Sequence, residues 1–172
     1  EFAESIGVDL EVKIIKNLDS LVPMLNSGEG DIIACNYTVT KERGRLINFS
    51  EPFIQTQQVL VQRKPDGWKD MDEEDWKKEI ITDPNNLAQK EVRVWRNSSY
   101  YQRLLHLQEE IGDTIFIEGV QGTIGGEELI EMVSTGLIDY TITENNIAKV
   151  NEQFFENLYT DLDLSVKQKM AF

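Results

Sequence analysis

The chain has 172 residues, with 31 acidic against 17 basic side chains, a net charge of −14, and 40% hydrophobic residues. That charge argues against nucleic acid as a partner, because phosphates need a basic surface. It leaves room for a small anion held by a local arginine. No apolar run approaches the roughly 20 residues of a membrane-crossing helix. The single cysteine, Cys35, cannot form an internal disulfide, and its place in an apolar stretch fits a buried, inert thiol.

In chain order, residues 1–6 read as the end of a helix, closed by Gly7 in the left-handed region. Residues 10–15 alternate and are β-branched, which predicts a strand. Leu18, Leu21, Val22 and Leu25 recur at helical spacing. Asn17 or Asp19 can cap their start, and Gly28 and Gly30 follow their end. Pro23 inside this pattern should bend or weaken the helix. Ile32, Ile33, Ala34 and Cys35 are apolar without alternation, which predicts a strand at 31–34 covered on both faces. A polar loop at 36–40, one helical turn bearing Arg43 and a strand at 46–49 follow. Residues 53–63 form a long extended run rich in Gln, Val and Leu. Residues 64–86 contain an acidic helix expected to bury Trp68 and Trp76, between turns at 65–67 and 83–86.

A second α/β unit starts with a strand at 92–95. Asn97, Ser98 and Ser99 can cap the next helix, whose Tyr101, Leu104, Leu105 and Ile111 should face inward. A strand at 114–118 and a flexible turn at 122–126 lead to a helix with Leu129, Met132, Val133 and Leu137 inward. A strand at 139–143 precedes a helix opened by Glu144 and carrying Ile147, Val150 and Phe154. Short strands close the chain at 158–159 and 167–172. Two βα sets joined by an extended link predict an α/β protein: a two-lobed, three-layer αβα sandwich. The expected lobes are 1–61, with 166–172 returning to it, and 62–165.

The loop after a buried strand lies at its carboxyl end, where α/β folds bind ligands. Asn36, Tyr37, Thr38 and Thr40 offer donors and acceptors there, and Arg43 offers a planar fork matched to a carboxylate. His106 has no partner at metal-ligand spacing. The glycines at 122–126 lack the Lys-Ser/Thr of a phosphate loop. No nucleophile elbow exists, and no carboxylate pair stands out for glycoside chemistry. Neither metal nor cofactor is expected, and no catalytic residue.

Residues 30–53 resemble the type II periplasmic solute-binding proteins, the extracellular family 3 or amino-acid-binding branch. Asp31, Thr38, Thr40, Arg43 and the run Phe49, Ser50, Glu51, Pro52, Phe53 fit that pattern in order. Asn36 departs from it, standing where Gly or Ser is usual. The resemblance covers nearly the whole chain and implies the two-lobed binding-protein fold, trimmed at both ends. Residues 127–149, through Gly136, Asp139, Tyr140, Thr141, Ile142 and Glu144, are similar to the membrane-bound lytic murein transglycosylase F group. In that group a solute-binding-type domain precedes a lysozyme-like domain that cleaves peptidoglycan.

The resemblance implies a periplasmic sensing or regulatory module, anchored to the outer membrane as part of a longer protein, for an amino acid or peptidoglycan-derived peptide. It makes Arg43 the carboxylate clamp, with Asn36 and Thr38 beside it and Tyr37 stacking on the ligand or lying at the rim. Ser98 and Ser99 would receive an anion at a helix N-terminus, or simply cap it. Glu144 would hold an α-ammonium, or simply favour the helix dipole. The alternatives are the substrate-binding protein of an amino-acid ABC transporter, a dehydratase-like enzyme on the same fold, and a passive docking module.

Overall fold

A computed structural model describes residues 1–15, 17–121 and 124–172; Gly122 and Thr123 of the expected turn lie outside them. The strands are β1 (Tyr37–Thr38), β2 (Ile54–Thr56), β3 (Gln58–Arg63), β4 (Glu91–Trp95), β5 (Phe116–Val120), β6 (Tyr140–Glu144), β7 (Leu158–Asp163) and β8 (Gln168–Ala171). The helices are α1 (Phe2–Ser5), α2 (Leu21–Ser27), α3 (Glu73–Trp76), α4 (Ser99–Ile111), α5 (Gly126–Thr135) and α6 (Asn145–Asn151). A three-stranded antiparallel sheet has the order β1-β8-β2, and a five-stranded mixed sheet the order β5-β4-β6-β3-β7. Within the larger sheet, β4 runs parallel to β5 and β6, while β3 runs antiparallel to β6 and β7.

The three layers follow from β3. Successive side chains of a strand leave opposite faces, so Leu60 and Val61 serve different cores. Leu60 packs in a cluster with Val92, Val94, Leu104, Leu107 and Ile142, on the side covered by α4. Val61 packs with Leu129, Ile130, Val133 and Leu158, on the side covered by α5. That two-sided burial explains the unbroken run Val59-Leu60-Val61. Gln62, in the same strand, is buried with both amide ends engaged: Nε2 donates to Ile81 O at 2.7 Å, and Oε1 accepts from Ile81 N at 2.9 Å. It pins the acidic excursion to the sheet.

Local signals placed α4 and α5 well. Ser98 Oγ accepts from Tyr101 N at 3.1 Å, and Gly112 and Gly136 end the two helices at φ 74° and 81°. The buried face of α4 is Tyr100, Leu104 and Leu107; the expected Tyr101 and Ile111 pack half-buried against the same cluster, and Leu105 is half-buried outside it. Leu137 and Phe154 are exposed, because α5 and α6 stop before reaching them. Pro23 sits in the first turn of α2, where its missing N–H costs nothing. The break falls just before it, in a 3-10 turn at Leu18–Ser20 capped by Asn17.

Three expected strands do not form. Residues 10–15, 31–34 and 46–49 pair with nothing among the described residues. Leu10, Val12, Ile14 and Ile32 are exposed, and only Ile33 and Ile47 of these segments are buried. Apolar patterning favours extended backbone, but a strand also needs a partner for its N–H and C=O groups. The acidic helix is likewise broken, into α3 between 3-10 turns at Trp68–Asp70 and Lys77–Glu79. Trp76 is buried, whereas Trp68 is half-buried under Lys64, whose Nζ lies 4.0 Å from the ring centre.

The chain passes from the smaller sheet to the larger at Gln57, so a boundary at 61/62 would cut β3. It returns between Asp163 and Gln168. The crossings lie side by side: Gln58 N donates to Ser165 Oγ at 2.9 Å, Leu164 N to Gln58 O at 2.7 Å, and Gln57 Nε2 to Asp163 Oδ2 at 3.0 Å. Among the described residues, no helix is long and apolar enough to cross a membrane.

Candidate functional site

On the smaller sheet, β1 pairs with β8 and fixes Tyr37 and Thr38. Thr40 Oγ1 accepts from Arg43 N at 3.2 Å and starts the single turn Arg43–Arg45. This turn folds Arg43 back, so that its Nη1 donates to Thr38 O at 3.0 Å and its Cζ lies 3.9 Å from the Tyr37 ring centre. Among the described residues, no carboxylate lies within ion-pair distance of Arg43; the ion-paired arginines are Arg63, Arg93 and Arg103. Cys35 is half-buried, and burial pushes its thiol up, against the pull of Arg43.

On the larger sheet, Ser98 is occupied at both ends. Its Oγ donates to Trp95 O at 2.6 Å while capping α4. Ser99 instead reaches across: its Oγ lies 3.3 Å from Thr38 Oγ1 and accepts from Gln58 Nε2 at 3.1 Å. Gln58 Nε2 also donates to Gln168 Oε1 at 3.1 Å. Glu144 closes β6, only 6% exposed, and accepts a short hydrogen bond from the Tyr100 hydroxyl. Tyr100 in turn stacks on Trp95, ring centres 6.2 Å apart.

Burial pushes the Glu144 carboxyl up from its ordinary value, while the Tyr100 hydroxyl, a backbone hydrogen bond and the positive field of Arg43 pull it down. Burial and the neighbouring Glu144 raise the Tyr100 phenol well above its usual range. The upward shift at Glu144 has a testable sign. The folded state holds this proton more tightly than the unfolded state does. Stability should therefore fall as pH rises from the ordinary carboxylate range, about 4.5, to the raised value, and then level off. Glu144→Gln keeps an acceptor for Tyr100 and cannot ionise. Urea denaturation at about pH 4 and pH 7 should show the variant gaining on the wild type at the higher pH. A difference independent of pH would contradict this account.

Of the residues expected at the site, Tyr37, Thr38, Arg43 and Ser99 meet where the two sheets face, and Glu144 lies within the field of Arg43. Ser98 turns to its own helix end. Asn36 is exposed, with no side-chain hydrogen bond among the described residues. Gln58, Tyr100 and Gln168 were not expected. The signal for Gln58 was present: an amide in a strand otherwise built of Val and Leu. A separate surface depression at the other end of β3, lined by Arg63, Lys64, Asp66, Asp139 and Tyr140, is remote from this cluster. No group of three or more His, Cys, Asp or Glu among the described residues is placed to hold a metal ion.

The chain is 34% identical over 171 residues to membrane-bound lytic murein transglycosylase F of Saccharophagus degradans, covering 99% of this chain and 31% of that protein. It spans about a third of the length of the curated relatives it matches. Its fold matches the substrate-binding protein of an amino acid ABC transporter with a TM-score of 0.77 at 19% identity, over 98% of this chain and 67% of that one. It also matches an ancestral arginine-binding protein bound to arginine, with a TM-score of 0.74 at 21% identity, over 98% and 69%. These likenesses fix the architecture as that of the two-lobed periplasmic amino-acid-binding proteins. The profile of one family matches residues 1–158, and the chain belongs to it: the bacterial extracellular solute-binding proteins, family 3.

Proposed function

We propose that this chain is the ligand-binding regulatory module of a longer periplasmic protein, held at the outer membrane and joined to a peptidoglycan-cleaving domain. Its solute is an amino acid or a peptidoglycan-derived peptide. The observation that supports this reading most is Arg43: a guanidinium with no carboxylate partner among the described residues, next to the Thr38 hydroxyl of β1, which meets the Ser99 hydroxyl of α4. A bidentate arginine–carboxylate contact is charge-assisted and directional. Arg43 takes the solute carboxylate, Tyr37 supports the guanidinium, and Thr38 and Ser99 add hydroxyls. Ser98 keeps the N-terminus of α4 formed, Asn36 stands at the rim, and Glu144 receives the amine. The two sheets, each with its helices, act as two lobes that close on the solute.

The names of the similar proteins support the solute class and the attachment: an arginine-binding protein, an amino-acid ABC transporter component and a lytic murein transglycosylase. Calorimetric titration of the 172-residue chain with the standard amino acids and purified muropeptides tests the reading. Saturable binding of at least one carboxylate-bearing solute is expected, and heat-free titrations across the whole panel would overturn it. A muropeptide preference favours the regulatory module, and a free amino-acid preference favours a transport-type binding protein.

A further inference from the structure

The buried strand β3 carries two glutamines, and they differ in one respect. Gln62 has both amide ends satisfied by the backbone of Ile81. Gln58 is 1% exposed and spends Nε2 on Ser99 and Gln168, yet its Oε1 is buried with no hydrogen-bond partner among the described residues. A buried carbonyl without a donor is uncommon, since the water it gave up is not replaced. Gln58 lies directly opposite Glu144 in the β3–β6 register. Opposed residues leave an antiparallel pair on the same face, with neighbouring side chains. Two acceptor groups therefore stand side by side, and the hydroxyl of Tyr100 is the donor that serves the carboxylate.

The geometry points to Gln58 as a further recognition residue, whose side-chain carbonyl accepts a hydrogen bond from an N–H of the solute, beside Glu144. This rests on the solute-binding reading above and adds to it the polarity of the ligand. An ammonium brings three donors and no acceptor, which suits two adjacent acceptors; a second anion would add to the deficit. Gln58 also connects, through Ser99 and Thr38, to Arg43. Donors thus gather at the Arg43 end and acceptors at the Gln58 end, the pattern of a zwitterion lying between the sheets.

The test uses L-arginine and L-alanyl-D-glutamate, each with its Nα-acetyl counterpart, which keeps the carboxylate and removes the ammonium. Wild type should bind the free-amine form at least about tenfold more tightly. Gln58→Met keeps the length and removes the amide. It should erase most of that preference by weakening the free-amine form alone. Gln58→Glu keeps an acceptor and adds charge, so it should retain or increase the preference; it decides the matter if the Met variant is unfolded by circular dichroism. Equal weakening of both forms by Gln58→Met means a purely structural amide and overturns the inference, with the solute-binding reading intact. A Gln58→Glu variant with reduced preference, or a wild type indifferent to acetylation, overturns it as well. A wild type that binds none of the four probes overturns it, and the full titration panel above then decides the solute-binding reading separately.

Discussion

Replacing Arg43 with alanine should weaken any carboxylate-bearing solute ten- to a hundredfold, about 1.5–3 kcal/mol. The loss is one charge-assisted, directional contact. Arg43 donates once to Thr38 O and stacks on Tyr37, which orients the fork without using all of its five N–H donors. Orientation before binding matters because an arginine side chain otherwise loses much rotamer freedom when it is fixed. Arg43→Lys keeps the charge but not the planar fork, so it should recover only part of the affinity. The side chain packs at the surface of the smaller sheet, so the change in folding stability should be small, within about 1 kcal/mol. Calorimetry on the three proteins, with thermal unfolding as the control, separates the two effects. Unchanged affinity in a folded Arg43→Ala protein would place the carboxylate site elsewhere.

The largest expected effect on stability is Leu60→Ala. Leu60 is fully buried in the interior strand β3, between β6 and β7, and packs in the cluster that α4 seals. Truncation removes the transfer energy of its methyl and methylene groups and leaves a cavity that close packing cannot fill, about 2–5 kcal/mol. Against a typical total of about 5–15 kcal/mol, this is enough to lower the urea midpoint strongly with little change in slope. Leu10→Ala supplies the contrast. Leu10 is exposed and joins no sheet among the described residues, so its truncation should stay within about 0.5 kcal/mol. Comparable losses from the two substitutions would contradict the assignment of β3 to the core.

The elements legible in the sequence were those written locally. Helix α4 has its cap at Ser98 and its stop at Gly112; β4 and β6 sit between clear turns. Residues 10–15 and 31–34 misled for the opposite reason. Their patterns state which side chains prefer extended backbone, and pairing is a property of a second segment elsewhere. Tyr100 was missed beside Tyr101, which packs half-buried on the same core, because one residue turns a helix by about 100° and two adjacent tyrosines do not show which is the deeper. That error hid the partner of Glu144. Arg43 and Thr38 were singled out because they belong to an ordered motif, and Ser99 because it opens a helix. Gln58 was not, since an amide in an apolar strand is most simply a structural residue, as Gln62 is.

The paired crossings near Gln57 and Ser165 have a mechanical consequence. One link between two bodies leaves them free to swivel in three directions. Two links fastened to each other, as Gln58 is to Ser165 and Leu164, define a line and leave one soft angle. Stretching or sliding along that line would break backbone hydrogen bonds, whereas rotation about it needs only small torsional changes in a few residues. A solute that touches both bodies therefore works against a single coordinate, like a key on a door rather than a weight on a rope. Under the function proposed above, occupancy would be converted to one stereotyped displacement, whatever solute causes it, and an attached domain would need to sense only that one displacement.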